Sequence, residues 1–145
     1  MSFVIDLAKW KEAEKIFARY LVDFPWFVSV EIVDGKFTDY DIKLTTKEKV
    51  ITYEVKSDTM ANQTWNFVIE TRFKWKPSGI YASKSDYIVY YIKDEWWIQK
   101  RWELILRLID TEKRITNGGD WRNSELYVIS CDKLPDLFEP LKIND

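Results

Sequence analysis

The sequence predicts a single α/β (α+β) domain over residues 1–145, a β-sheet with an N-terminal helix and further helical stretches later in the chain. Three observations carry this expectation. Apolar residues recur at helical spacing, ~100° per residue, over residues 6–22 and again over 100–111. Between these stretches lie short runs whose apolar and polar side chains alternate with the period of a strand. Turn-forming residues, Asp34-Gly35 above all, punctuate the runs. At 145 residues the chain is long enough to fold around its own core.

In residues 6–22, Asp6 is placed to cap a helix start. Leu7, Trp10, Phe17, Tyr20 and Leu21 form one apolar stripe, with Glu12 opposite it and Glu14 at its edge. A carboxylate beside an apolar face needs a partner or a use. Glu14 is therefore either a salt-bridged edge residue or a group directed at the same site as Asp41. Phe24-Pro25-Trp26 ends the helix, because proline cannot continue it. Residues 27–33 alternate as a strand, and Asp34-Gly35 turns the chain into a second run. There Tyr40, Ile42 and Leu44 share one face, while Asp39, Asp41 and Lys43 share the other. After a turn at residues 45–49, Ile51, Tyr53 and Val55 oppose Glu54, Lys56 and Asp58. The sheet thus begins as a three-stranded meander behind one helix.

Residues 57–63 read as a loop and 64–74 as a strand, with Trp65, Phe67 and Ile69 on one face and Asn66, Val68 and Glu70 on the other. Glu70 is either an extra site carboxylate or, the favoured reading, the partner of a nearby lysine. Residues 76–86 contain a Pro-Ser-Gly turn, with room for a short helix after it. Residues 87–92, Tyr-Ile-Val-Tyr-Tyr-Ile, suit a strand buried on both faces. A further strand is expected at 96–99, then a helix over 100–111, where Trp102, Ile105, Leu106 and Ile109 have helical spacing. Residues 117–120 read as a loop and 125–130 as a last strand. Residues 132–141 read as a terminal helix or turn broken by Pro135 and Pro140.

Composition excludes several chemistries. The chain has no histidine and one cysteine, Cys131, so neither a histidine base, a zinc centre nor an internal disulfide is expected. One cysteine fits a reducing cytoplasm. No apolar run approaches the ~18 residues of a membrane span, and Met1–Asp6 lacks the pattern of a secretory signal. Carboxylates, lysines and a hard ion such as Mg²⁺ remain as the available chemistry. The formal net charge of −2 argues against a non-specific DNA coat. It leaves open a nuclease whose acidic site is offset by metal.

Closing the hairpin would bring Asp41, Glu54 and Lys56 to one side of the sheet. The plainer reading is a solvated sheet face. Asp39 competes with Asp41, since it shares that face. A second cluster, Arg72, Lys74, Lys76 and Lys84 with Trp75 and Tyr81, is of a kind that meets phosphates and bases, or else a strand end with snorkelling lysines.

A helix with Glu14, a hairpin with Asp41 and Glu54-Val55-Lys56, a strand with Glu70 and a return strand together resemble the PD-(D/E)XK nuclease superfamily. Its signature is an Asp followed on the next strand by Glu-x-Lys; here Asp41 and Glu54 lie thirteen residues apart. The turn from Pro77-Ser78-Gly79-Ile80 to Lys84-Ser85-Asp86-Tyr87, and Gly118-Gly119-Asp120 before Ser124-Glu125-Leu126-Tyr127-Val128, are also similar. The proline that often precedes the Asp is Tyr40 here. The resemblance implies a restriction-endonuclease-like mixed sheet flanked by helices and Mg²⁺- or Mn²⁺-dependent hydrolysis of DNA, duplex or branched, as in junction resolvases. Asp41, Glu54 and the Val55 carbonyl would hold the ion. Lys56 would sit beside the attacking water, and Glu14 would lie behind them or hold a second ion. Lys76, Ser78 and Lys84 would contact nucleic acid. Paired cuts on a two-fold junction would call for a homodimer. The likeness suggests a viral or mobile-element origin, hence a host cytoplasm. The alternative is a non-catalytic module that keeps the fold and holds nucleic acid or a protein partner.

Overall fold

The computed structural model describes residues 3–33, 39–59, 61–118 and 123–143, with side chains from Glu12 onward. The expected Asp34-Gly35 turn and Gly119-Asp120 lie outside them.

Helix α1, Phe3–Leu21, begins before the expected cap, so Asp6 lies inside it. It stops ahead of Pro25. Strands β1 (Phe27–Ile32), β2 (Ile42–Thr46) and β3 (Val50–Asp58) form the expected antiparallel meander. Strand β3 runs through Ser57 and Asp58, and a one-turn helix, α2 (Ala61–Thr64), follows, so these residues belong to regular elements where a loop was expected. The chain then forms β4 (Asn66–Phe73), β5 (Lys76–Pro77), a 3₁₀ turn at Gly79–Tyr81 and β6 (Tyr87–Ile92).

Strand β6 pairs parallel with β3, so the chain between them is the crossover such a pair requires. Asp86 pins this pairing: its carboxylate accepts the Thr52 amide at 2.9 Å, and its own amide donates to the Thr52 carbonyl at 3.0 Å. The apolar run of β6 is buried on both faces, as expected of a central parallel strand. Next come β7 (Glu95–Lys100), α3 (Arg101–Asp110), β8 (Arg114–Gly118), β9 (Ser124–Ser130), α4 (Leu134–Leu137) and β10 (Glu139–Leu141). The large sheet is mixed, with order β1-β2-β3-β6-β7-β10; the second sheet is antiparallel, with order β5-β4-β9-β8.

Each face of the large sheet carries a core. Ala13, Phe17, Ala18 and Leu21 of α1 cover Ile42, Leu44, Tyr53, Val55, Val89 and Trp96. On the other face, Ile88, Tyr90, Ile92 and Trp97 pack against Phe67 and Ile69 of β4, Ile129 of β9, Leu104 and Leu108 of α3, and Leu134 and Leu137 of α4. The Tyr90 hydroxyl donates to the Val68 carbonyl at 3.0 Å and ties the two sheets together.

Several local expectations are corrected. Helix α3 buries Leu104 and Leu108, while Trp102, Leu106 and Ile109 are 69%, 58% and 68% exposed. Both stripes have helical spacing, and packing against α4 selects the leucines. Trp65 precedes β4 with φ +58 and stays exposed, its indole N–H donating to Asp132 at 2.9 Å. Asn117 and Gly118 close β8 instead of belonging to a loop. Pro135 sits in the first turn of α4, where a missing N–H costs nothing, and Pro140 lies in β10 at the sheet edge. Among the described residues, no helix is long and apolar enough to cross a membrane.

Candidate functional site

The pairing Ile42↔Tyr53 sets Asp41 opposite Glu54 at the end of the β2–β3 ladder. The Asp41 amide donates to the Tyr53 carbonyl at 2.9 Å, and its carboxylate Oδ2 accepts the Val55 amide at 2.9 Å. A carboxylate that bonds the residue between Glu54 and Lys56 cannot point away from them. Lys56 Nζ lies 3.2 Å from Glu54 Oε2, with the Glu54 side chain 11% exposed and that of Lys56 35%. The three groups therefore converge, as the strand pattern implied. Asp39 instead contributes its backbone carbonyl, which accepts the Lys84 amide at 2.7 Å and the Ser83 hydroxyl at 3.2 Å.

Burial dominates the electrostatics of both acids. It pushes the Asp41 carboxyl above its ordinary range, although the Val55 amide and the Lys56 ammonium pull it down. The Glu54 carboxyl is also raised, by burial first; Lys56 opposes this, Asp41 adds to it, and the Ser83 hydroxyl lowers it. For Lys56, burial works against the charged form, but Glu54 and Asp41 outweigh it and hold the ammonium above its ordinary value. The arrangement is two crowded carboxylates sharing one cation.

Beside them a cleft of about 320 Å³ opens between the two sheets. Its large-sheet wall carries Glu54, Lys56, Asp58, Ile88 and Tyr90, and its other wall carries Val68, Glu70 and Leu126. Glu70 thus lines the cleft, where its charge also helps hold the Lys56 ammonium above its ordinary value, in keeping with its reading as a nearby lysine's partner. The Ser78 hydroxyl bonds its Oε2, and the Ser124 hydroxyl donates to its Oε1 at 3.0 Å. Gly79 makes this approach possible: its φ is +53, and a Cβ there would lie 2.1 Å from the Glu70 carbonyl oxygen. The sequence pointed to Ser78 as a nucleic-acid contact and not as a partner of Glu70, and it gave no role to Ser124; the two lie eight and fifty-four residues from Glu70.

The remaining expected residues are placed as follows. Glu14 is half-buried on α1, the helix over the Tyr53/Val55 face, and does not line the cleft. Lys76 and Lys84 are exposed, whereas Ser78 turns its hydroxyl inward to Glu70. Among the described residues, no group of three or more acidic, His or Cys side chains is arranged to hold a metal ion. What the site offers is a pair of hard oxygen donors, Asp41 and Glu54. The Val55 backbone is turned toward the β2 side, where Asp41 bonds its amide. That donor set suits Mg²⁺ or Mn²⁺, which keep several waters when bound.

No family model matches the chain, and no curated protein matches it in sequence. Among solved structures it is similar to the bacterial homing endonuclease I-Ssp6803I, at 17% identity and a TM-score of 0.53, covering 92% of this chain and 82% of that one. It also aligns with Hjc of Archaeoglobus fulgidus, a Holliday junction resolvase, at 10% identity and a TM-score of 0.38, covering 93% of each chain. The first likeness, together with the mixed sheet, its N-terminal helix and its second sheet, agrees with the restriction-endonuclease-like fold expected from the sequence.

Proposed function

We propose that this chain is a metal-dependent endonuclease of the PD-(D/E)XK kind that hydrolyses DNA phosphodiester bonds, duplex or branched. The observation that carries the reading is the bond from the Val55 amide to Asp41, which gathers Asp41 with Glu54 and Lys56, the last two lining an open cleft. The fold shared with a homing endonuclease supports it.

Asp41, Glu54 and the Val55 carbonyl would hold Mg²⁺ or Mn²⁺. Such an ion, when bound, polarises a phosphoryl oxygen and lowers the pKa of water. The chain's own groups do the rest. Lys56, kept protonated by two carboxylates, carries its charge toward the phosphate as negative charge grows there. Glu54 pairs with Lys56 in the site as it stands and would be one of the ion's two carboxylate donors. Glu14 stands behind this set or serves a second ion. Lys76 and Lys84 meet the nucleic-acid backbone, and paired cuts need a homodimer.

Incubating the protein with duplex, branched and single-stranded DNA in Mg²⁺ or Mn²⁺, beside an EDTA control, tests this. Metal-dependent cleavage is expected, and Lys56→Ala should slow it by about 10²–10³-fold or more. Cleavage by that variant at the wild-type rate would reject the role of Lys56. One other reading is a non-catalytic binding module, in which the Asp41–Glu54 pair stays neutralised by Lys56. DNA binding without cleavage in any divalent ion would establish it.

A further inference from the structure

We infer that the β4–β5 hairpin tip is a base-stacking element that selects DNA carrying an unpaired base, with Trp75 taking the base and Lys74 and Lys76 the flanking phosphates. This rests on the DNA-directed reading of the cleft and names the class of DNA it would accept.

The tip is a two-residue turn: Phe73 pairs with Lys76, and the central residues Lys74 and Trp75 have φ of +49 and +68. Such turns favour Asn-Gly or Asp-Gly, because bulky side chains are strained in the left-handed region. Turn chemistry therefore does not explain a tryptophan here. Nor does packing, since Trp75 is 86% exposed, the most exposed large apolar side chain among the described residues.

The β6–β7 turn makes the contrast. Its central residues Lys93 and Asp94 also have positive φ, but both side chains have partners within the chain: Asp94 accepts the Tyr91 hydroxyl at 3.1 Å, and Lys93 lies 4.4 Å over the Trp65 ring. The Trp75 indole is held out to solvent on a firm base. The Lys74 amide donates to the Asn123 carbonyl at 2.9 Å, and β4 is paired along its length with β9.

Among the described residues, charge around the indole is mostly positive. Arg72, Lys74 and Lys76 alternate along the hairpin, and Glu125 is the acid among them. Glu125 is already shared between Arg72 at 3.9 Å and the Thr71 hydroxyl at 2.8 Å. A small hollow beside the indole adds Asn117 and Asn123, whose amides can bond base edges. Cations beside an exposed aromatic ring fit phosphates beside a base. A continuous duplex hides its base faces in the stack, so an indole can stack only where a base has left it. At roughly 3.3 Å per residue, Trp75 lies at most about 17 Å from Glu70, close enough for one DNA to meet hairpin and cleft together.

The test compares two labelled DNAs of equal length, a continuous duplex and the same duplex with a short unpaired bulge, by fluorescence anisotropy in EDTA. The wild type should bind the bulged DNA roughly tenfold or more tighter. Trp75→Ala should lose that preference with duplex affinity unchanged, and Trp75→Phe should keep most of it. Trp102→Ala, which removes a comparably exposed indole from α3, should behave as wild type. A wild type with no preference, or a preference that survives in Trp75→Ala, would overturn the inference and leave the nuclease reading standing. Failure of the wild type to bind either DNA would overturn both.

Discussion

One face of the large sheet is two surfaces. Across β6 and β7 it presents Ile88, Tyr90, Ile92 and Trp97, sealed under β4, β9, α3 and α4. Across β2 and β3 the same face presents Lys43, Thr52, Glu54 and Lys56, with Asp41 at its end. The alternation of each strand is the same throughout; the covering layer is what differs. Where that cover ends, polar and apolar walls meet, and the cleft combines Glu54 and Lys56 with Ile88 and Leu104. Charges on such a border interact more strongly than in open water yet remain within reach of a substrate. Their position at the edge of a core explains why both carboxyls are raised.

The largest effect that would sharpen this contrast belongs to the covered half. Leu104 is fully buried and reaches the cleft floor, so Leu104→Ala should cost about 2–5 kcal/mol in urea denaturation. Lys43→Ala, on the uncovered half, should stay within about 0.5 kcal/mol. Comparable losses from the two would erase the distinction.

Gly79 comes next, because it joins the crossover to the cleft wall. Gly79→Ala sets a Cβ 2.1 Å from a backbone oxygen at φ +53, and the loop has to move. A loss of about 1–3 kcal/mol is expected in the same assay. Gly118→Ala serves as the control: its Cβ would meet only the tip of Leu126 at 2.7 Å, a side chain able to rotate away. Equal costs at the two glycines would remove the case for a fixed wall behind Glu70.

The uncovered half was readable because its logic is local. The period of β2 and β3 places Asp41, Glu54 and Lys56 on one face without knowledge of anything else, and the apolar run of β6 announces a central strand. The covering layer was not readable in the same way. Trp102, Leu106 and Ile109 match helical spacing as well as Leu104 and Leu108 do, and only the position of α4 separates them. Strands β8 and β10 carry Asn-Gly and Pro, residues that mark turns in isolation and become strand only through their partners β9 and β7. The serines that hold Glu70 come from distant segments, and hydroxyl–carboxylate pairs leave no spacing signature.

The smallest expected effect tests the border itself, through pH. Asp41 keeps a raised carboxyl even with the attraction of Lys56 and the Val55 amide counted, so the folded chain binds its proton more tightly than the unfolded chain does. Its contribution is therefore fully present below the unfolded-state pKa and is lost as pH rises through the folded value. In EDTA, Asp41→Asn should melt at a higher temperature than wild type near neutral pH, because the amide oxygen can still accept the Val55 N–H without carrying a charge. The gap should close as pH falls through the carboxylate range. Added Mg²⁺ or Mn²⁺ should raise the wild-type melting temperature and leave the variant unmoved, since an ion that binds only the folded site stabilises it by mass action. A variant less stable than wild type at neutral pH in EDTA would mean that Asp41 is held by its bonds more than it is penalised by burial. The uncovered half would then be an ordinary solvated sheet face with no unmet demand for a cation.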